Sequence, residues 1–376
     1  MIPVNLYRAA DPAWEESLGA VPRDVYHTAG YHAYAHGSGE GEPFLVVVGD
    51  GRRGLAWPYL LRKVGDLRGL TGSDATDVTS VYGYPGPLAW GSLPGDEFIA
   101  SAWCSIVDIW RGQGAVAAFS RFHPLLDNAS LISGLPWPGD ATEGRGSVLA
   151  VGPTVSIDCT LGDDAARAQY APALRQRLNA GRRAGLTTTN DEDWRDLPIF
   201  AHLYRETMAR NGAAAYYYFD QSDFERLHAA LPGKVHLLVT RVGDAVAAAG
   251  LFTECDGIVQ AHLVGTSSTF RSLSPFKILL DDARSWARER GNSVLHLGGG
   301  RGGRQDTLLM FKGEFSSRRH VFHVGSWVLD RDAYRGLVEA RLAAAPADRV
   351  PDPTFFPAYR APLLEEEGPA TPILMP

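Results

Sequence analysis

A glycine run set between an apolar strand and a short apolar helix constrains this chain more than any other feature. Residues 294–330 read VLHLGGGRGGRQDTLLMFKGEFSSRRHVFHVGSWVLD. Val294 to Leu297 has the composition of a buried strand, and Gly298, Gly299 and Gly300 follow it directly. Three consecutive glycines let a backbone adopt positive φ or approach another group more closely than any Cβ would permit. The next apolar stretch carries Phe311 and Lys312, and residues 321–328 alternate as a further strand does. Arg301, Arg304, Arg318 and Arg319 surround the opening. A cation at the end of a glycine-lined groove can stabilise a developing oxyanion or hold a phosphate. The alternative is a tight turn with a solvated lysine and a basic surface loop.

With 376 residues the chain can form two domains of ordinary size. Its 45% hydrophobic and 21% charged residues argue for a folded protein. The formal net charge of −7 speaks against a general nucleic-acid coat, while leaving room for a local basic groove that takes one end of an RNA. Cys104, Cys159 and Cys255 lack the spacing of a zinc site or a disulfide framework, so no metal is expected. The N-terminal residues show no basic-then-apolar signal pattern and no apolar run reaches membrane-spanning length, which makes the cytoplasm the expected location.

The chain in order gives the elements. Residues 44–48 and 55–61 form a hairpin around Gly49-Asp50-Gly51. Residues 80–87, SVYGYPGP, can continue neither helix nor strand, so they form an ordered loop presenting Tyr82 and Tyr84, with Asp74 and Asp77 just upstream. A helix over 97–111 and a strand over 116–121 come next. Residues 134–147 read as loop and 154–159 as strand. Residues 163–185 read as one helix whose arginines form a solvated face. Helices over 196–211 and 224–231 precede three antiparallel strands at 235–240, 245–252 and 258–264. Ser274-Pro275 opens a long helix through Arg290, with serine placed to cap it.

That order, helix, helix, three strands, helix, strand, helix, strand, is the one expected of a GNAT-type acyltransferase. Residues 82–87 (YGYPGP), 121–125 (RFHPL), 204–210 (YRETMAR), 297–300 (LGGG) and 311–315 (FKGEF) together make the chain resemble the Fem family of aminoacyl-tRNA-dependent transferases and its double-GNAT relatives. The resemblance covers roughly residues 25–335. It implies an α+β protein of two tandem GNAT-like domains, each a mixed, mostly antiparallel sheet flanked by helices. The expected division is an acceptor-side domain at 1–153, a donor-side domain at 154–322, and a returning strand and C-terminal segment at 323–376. It further implies amide-bond formation between an aminoacyl group carried by tRNA and an amine, without ATP or metal at that step. By the same resemblance Lys312 offsets the oxyanion charge and Phe311 packs against the RNA end. Gly298, Gly299, Gly300, Arg301, Arg304, Arg318 and Arg319 would form the donor side, with help from arginines in 167–183.

Two departures bear on substrates. A coenzyme-A-binding GNAT has a glycine-rich turn before its long helix to receive the pyrophosphate. Here residues 270–277 read FRSLSPFK, with no glycine and with a proline that removes one donor, so acyl-CoA is the alternative donor rather than the first choice. On the acceptor side no lysine matches the basic residues of peptidoglycan-type Fem enzymes. His32 and His36 stand in that region, and no coiled-coil arm is visible. A small amine of secondary metabolism, as in antibiotic biosynthesis, and a peptidoglycan bridge are both open as acceptor. A GNAT pair that only binds a partner is the non-enzymatic alternative. Tyr82, Tyr84, Asp74, Asp77, Thr207, Arg210 and Tyr217 are the acceptor-binding candidates. Loop packing, turn formation and surface ion pairing are the competing roles for them. His123 and His296 sit in apolar settings and read as structural, and Asp306 as a helix cap.

Overall fold

A computed structural model describes residues 2–19, 21–138, 145–346 and 349–365. The chain divides into two compact units, residues 1–152 with 321–376, and residues 153–320. In the first unit the sheet order is β1 (Val4–Arg8), β2 (Glu42–Gly49), β3 (Gly54–Lys63), β4 (Thr76–Thr79), β6 (Ala115–Arg121) and then the strand Arg319–Val328, with β5 (Leu88–Trp90) on β3. The β2–β3 hairpin is antiparallel from Glu42↔Leu61 to Gly49↔Gly54. Gly49 has φ 145, and a Cβ there would come within 2.3 Å of the Arg53 carbonyl, so this turn needs glycine. β4 and β6 are parallel, and Arg319–Val328 runs antiparallel to β6 from Val324↔Arg121 to Val328↔Ala117.

The core of this unit follows from one helix face. Within helix Glu97–Gly112 the residues Phe98, Ile99, Ala102, Trp103, Ile106, Val107 and Trp110 are buried, a spacing that places them along one stripe. Trp103 and Trp110 meet Trp57 of β3 at ring-centroid distances of 5.5 and 5.3 Å, and Trp327 reaches Trp57 at 5.9 Å. Residues 145–147, expected as loop, belong to the strand β7 (Arg145–Asp158), while 139–144 lie outside the described residues.

In the second unit the order is β7, β12 (Val294–Gly299), β11 (Ile258–Thr266), β10 (Ala245–Cys255), β9 (Val235–Val242) and β8 (Leu186–Asn190). β11 and β12 are parallel and the other pairs antiparallel. Two glycines show how helices cover both faces. A Cβ on Gly250 would meet Leu279 of helix Pro275–Glu289 at 3.4 Å. Gly250 pairs with Val264, so Gly265 faces the other way, and its Cβ would lie 2.6 Å from the Tyr204 backbone nitrogen of helix Leu197–Arg210.

The mixed, mostly antiparallel architecture expected from the sequence is present, with three local corrections. The single helix expected over 163–185 is two, Asp163–Ala168 and Pro172–Arg183, because Pro172 starts the second. Its arginines are not a plain solvated face: Arg167 and Arg182 both bond the buried Asp281, Arg182 also pairs with Asp282, and Tyr170 donates to Asp281 at 3.2 Å. Ser274 occupies the cap position of the long helix, but in the left-handed region (φ 55) and without a side-chain cap bond.

Candidate active site

Two of the second unit's register shifts fall at one level of the sheet, while a third lies at Ala247 where β10 meets β9. The parallel register between β11 and β12 runs Ile258↔Val294, Val259↔Leu295, Gln260↔His296 and ends there, although both strands continue. At the same level β11 carries His262 as an extra residue, since Leu251 pairs with Leu263 and Phe252 with Ala261. β12 likewise carries Leu297 as an extra residue against β7, between His296↔Ser156 and Gly298↔Val155. Bulges bend strands and end pairing. The two parallel strands therefore part just before the glycine run.

Beyond that point the backbone is held by glycine geometry and one carboxylate. Gly298 has φ 73, and a Cβ on Gly300 would lie 2.0 Å from the Arg304 carbonyl and 2.5 Å from Asp306 Oδ1. Asp306 accepts from the Leu309 N–H at 2.9 Å, capping helix Thr307–Gly313, and from the Arg301 N–H at 3.0 Å. That short helix presents Lys312, whose Nζ donates to the Gly299 carbonyl at 2.6 Å. Burial pushes the Lys312 ammonium down to about 8, with the Asp306 carboxylate acting in the opposite direction. Phe311 stacks on Phe276 at 5.2 Å and meets Phe315 edge-on at 5.8 Å, with Lys277 Nζ 5.3 Å from its ring centre. Lys277 is itself ion-paired with Glu314.

Of the donor-side candidates, the structure gathers Gly298, Gly299, Gly300, Lys312 and Phe311 around this loop, with Arg301 and Arg304 exposed on it. Arg318 pairs with Asp158 at 2.5 Å, and Arg319 donates to the Ser316 and Arg318 carbonyls at 2.8 and 3.0 Å, so both are engaged within the unit. Thr207 and Arg210 clamp the far end of β11. Thr207 accepts from the Thr266 N–H at 3.0 Å, and Arg210 donates to Thr207 at 3.0 Å and to the Thr266 carbonyl at 3.4 Å. Tyr217 accepts through its carbonyl from the Tyr204 hydroxyl at 2.8 Å.

In the first unit, Tyr82 and Tyr84 lie on the expected ordered loop. Asn128 holds that loop from below, donating to the Pro85 and Pro87 carbonyls at 2.8 and 2.9 Å. Tyr84 packs edge-on against Phe322 at 5.2 Å and Tyr26 at 6.0 Å. Beneath it is a pair the sequence reading missed: His123 Nε2 and Asp24 Oδ2, both buried, are 2.8 Å apart. His123 Nδ1 accepts from the Leu126 N–H at 3.2 Å, so Nε2 carries the proton and donates to Asp24. Neighbouring His27 is lowered to about 3, first by burial and then by His123. Asp74 is exposed. Asp77 requires a correction: its carboxylate is fully buried and engaged by Arg62 at 2.7 Å, Arg360 at 2.5 Å and the Tyr359 hydroxyl at 3.1 Å. It ties the C-terminal segment to the sheet instead of facing an acceptor.

Residues 168–306 match the family model of the acetyltransferase (GNAT) domain. The chain carries a GNAT acetyltransferase domain. No curated protein matches the sequence. Among solved structures the chain is similar to FemX, at 13% identity and a TM-score of 0.65, over 88% of this chain and 99% of that one. It is similar to L-PGS from Bacillus licheniformis at 12% identity, TM-score 0.51, over 89% and 98%. A conserved protein of unknown function from Bacteroides thetaiotaomicron VPI-5482 aligns at 9% identity, TM-score 0.54, over 87% and 100%. At these identities the likeness establishes the fold. The GNAT match includes the parted strands and the glycine run and ends at Asp306, just before the helix that supplies Lys312. No helix among the described residues is long and apolar enough to cross a membrane.

Proposed function

We propose that this acyltransferase moves an aminoacyl group from aminoacyl-tRNA to the amine of a small molecule or peptide. The observation that carries the reading is Lys312, perched on the Gly299 carbonyl where β11 and β12 part. An aminoacyl ester is already activated, so no protein nucleophile is needed. Attack by the amine places charge on the carbonyl oxygen, and a nearby enclosed ammonium stabilises that charge. Tyr82 and Tyr84, with Asp74, Thr207, Arg210 and Tyr217, are the acceptor candidates. Arg301, Arg304, Arg318 and Arg319 are the candidates for contacts with the RNA end, whose unpaired bases are read by stacking and a few cations.

The long helix supports a donor other than CoA. Its start lacks glycine and has proline at the first turn, and Glu314 already places a carboxylate beside Lys277 there. A pyrophosphate would meet that negative charge. Acyl-CoA is the second reading, favoured by the GNAT match and the parted strands themselves.

The test is donor use. The protein is incubated with labelled aminoacyl-tRNAs or with acyl-CoAs, each against a panel of amines that includes muropeptides. RNase-sensitive amide formation, reduced about 10²–10³-fold in Lys312→Ala, is the expected result. Transfer from acyl-CoA alone would replace the donor assignment.

A further inference from the structure

A row of polar side chains crosses the second unit's sheet at the level where its strands part, and the reading above leaves it unused. Gln260 of β11 lies opposite His296 of β12, and His296 lies opposite Ser156 of β7. Residues opposite one another in register share a sheet face. Leu295 and Leu297 enter the hydrophobic core, so this row faces away from it. His296 Nδ1 and Gln260 Oε1 are 2.7 Å apart, and Ser156 Oγ is 2.8 Å from Nε2 of His320. Gln260, His296 and Ser156 are buried, whereas His320 keeps part of its surface exposed.

The row adjoins the lysine perch. Thr154, opposite Gly299, donates its hydroxyl to the His320 carbonyl at 3.1 Å, and the Gly299 carbonyl accepts from Lys312 at 2.6 Å. His320, on the strand Arg319–Val328, thus lies two strands from the Gly299 backbone that positions Lys312, with Thr154 and Ser156 of β7 between them. A half-buried sheet face is ordinarily filled with valine or leucine, since a satisfied buried hydrogen bond adds little net stability over apolar packing. The imidazole is also the side chain whose ordinary range suits proton transfer near neutral pH.

We propose that His320 is the proton acceptor of the transfer reaction and that Ser156 is the residue that positions its imidazole. The inference rests on the acyl-transfer reading but not on the identity of the donor. The neutral amine nitrogen forms the C–N bond with the donor's carbonyl carbon. Its surplus proton passes to His320, and the imidazolium returns that proton to the leaving atom of the donor as the acyl bond breaks. Gln260 and His296 brace the same row at the point where β11 and β12 separate.

The experiment is a pH profile of kcat/KM from pH 5.5 to 9.5 for wild type, His320→Gln and Ser156→Ala, using whichever donor supports turnover, with melting temperatures recorded for each. For His320→Gln the expected result is a loss of about 10²–10³-fold at neutral pH. The acidic limb that the imidazole adds should disappear, so the deficit should shrink toward pH 5.5, where wild type too has little free imidazole to accept a proton. Ser156→Ala keeps the imidazole, so its limb should be shifted and its rate lowered about tenfold. Added imidazole should partly restore a His320→Ala variant. A folded His320→Gln with the wild-type profile overturns the inference, as does a Ser156→Ala whose limb and rate are unchanged. Turnover with acyl-CoA in place of aminoacyl-tRNA would remove the donor assignment and leave His320 standing. No turnover by wild type with either donor would remove both.

Discussion

Lys312 is under two opposing demands. Enclosure sharpens its interaction with any charge that develops beside it, yet the same enclosure lowers its pKa to about 8 from an ordinary 10.5. The cation is therefore present below pH 8 and lost above it. Activity that depends on it should fall on an alkaline limb near pH 8, and a folded Lys312→Arg should lack that limb, because a guanidinium stays charged throughout. Stability should move the other way. Between pH 8 and 10.5 the unfolded chain holds more protons at this position than the folded chain, so this group makes stability rise with pH across that window. Rate and urea-unfolding measurements on the same samples separate the two effects, and coincident decline of both would contradict the assignment.

At the scale of elements, the glycine loop and its cap act as one piece. Gly300→Ala would set a methyl group against the Arg304 carbonyl and Asp306, displacing the carboxylate that caps the Lys312 helix. We expect a destabilisation of about 1–3 kcal/mol and a fall in kcat larger than that of a loop substitution such as Arg304→Ala. An unchanged kcat and melting temperature would sink the linkage. Much of this piece was legible in the sequence. Glycines between a strand and an apolar helix, Asp306 three residues before Leu309, and the alternation of 235–264 all carry local signals. The polar row did not, because Ser156, Gln260, His296 and His320 come from separate strands and meet only through sheet register. Asp24 and His123 escaped because they lie in two loops far apart in the sequence and only the fold brings them together. Asp77 was misread because a turn-flanking aspartate looks alike whether it faces solvent or two arginines. Only the fold brings Arg62 and Arg360 to it.

On the scale of the whole molecule, the first unit is closed by residues from the far end of the chain. Arg360→Ala would leave the buried Asp77 carboxylate with Arg62 as its only guanidinium, and we expect a loss of about 2–4 kcal/mol in urea unfolding. Asp77→Asn in the same background should recover part of it, and a strictly additive double variant would disprove the coupling. The strand Arg319–Val328 makes the same point through backbone pairing, since β6 has it as a neighbour in the sheet. During synthesis β6 emerges long before that neighbour exists. At ordinary elongation rates the wait is about 10–40 s. A nascent chain halted after β6 and before residue 319 thus shows an open edge of apolar strand to the cell, a natural mark for chaperones or for the machinery that clears stalled products.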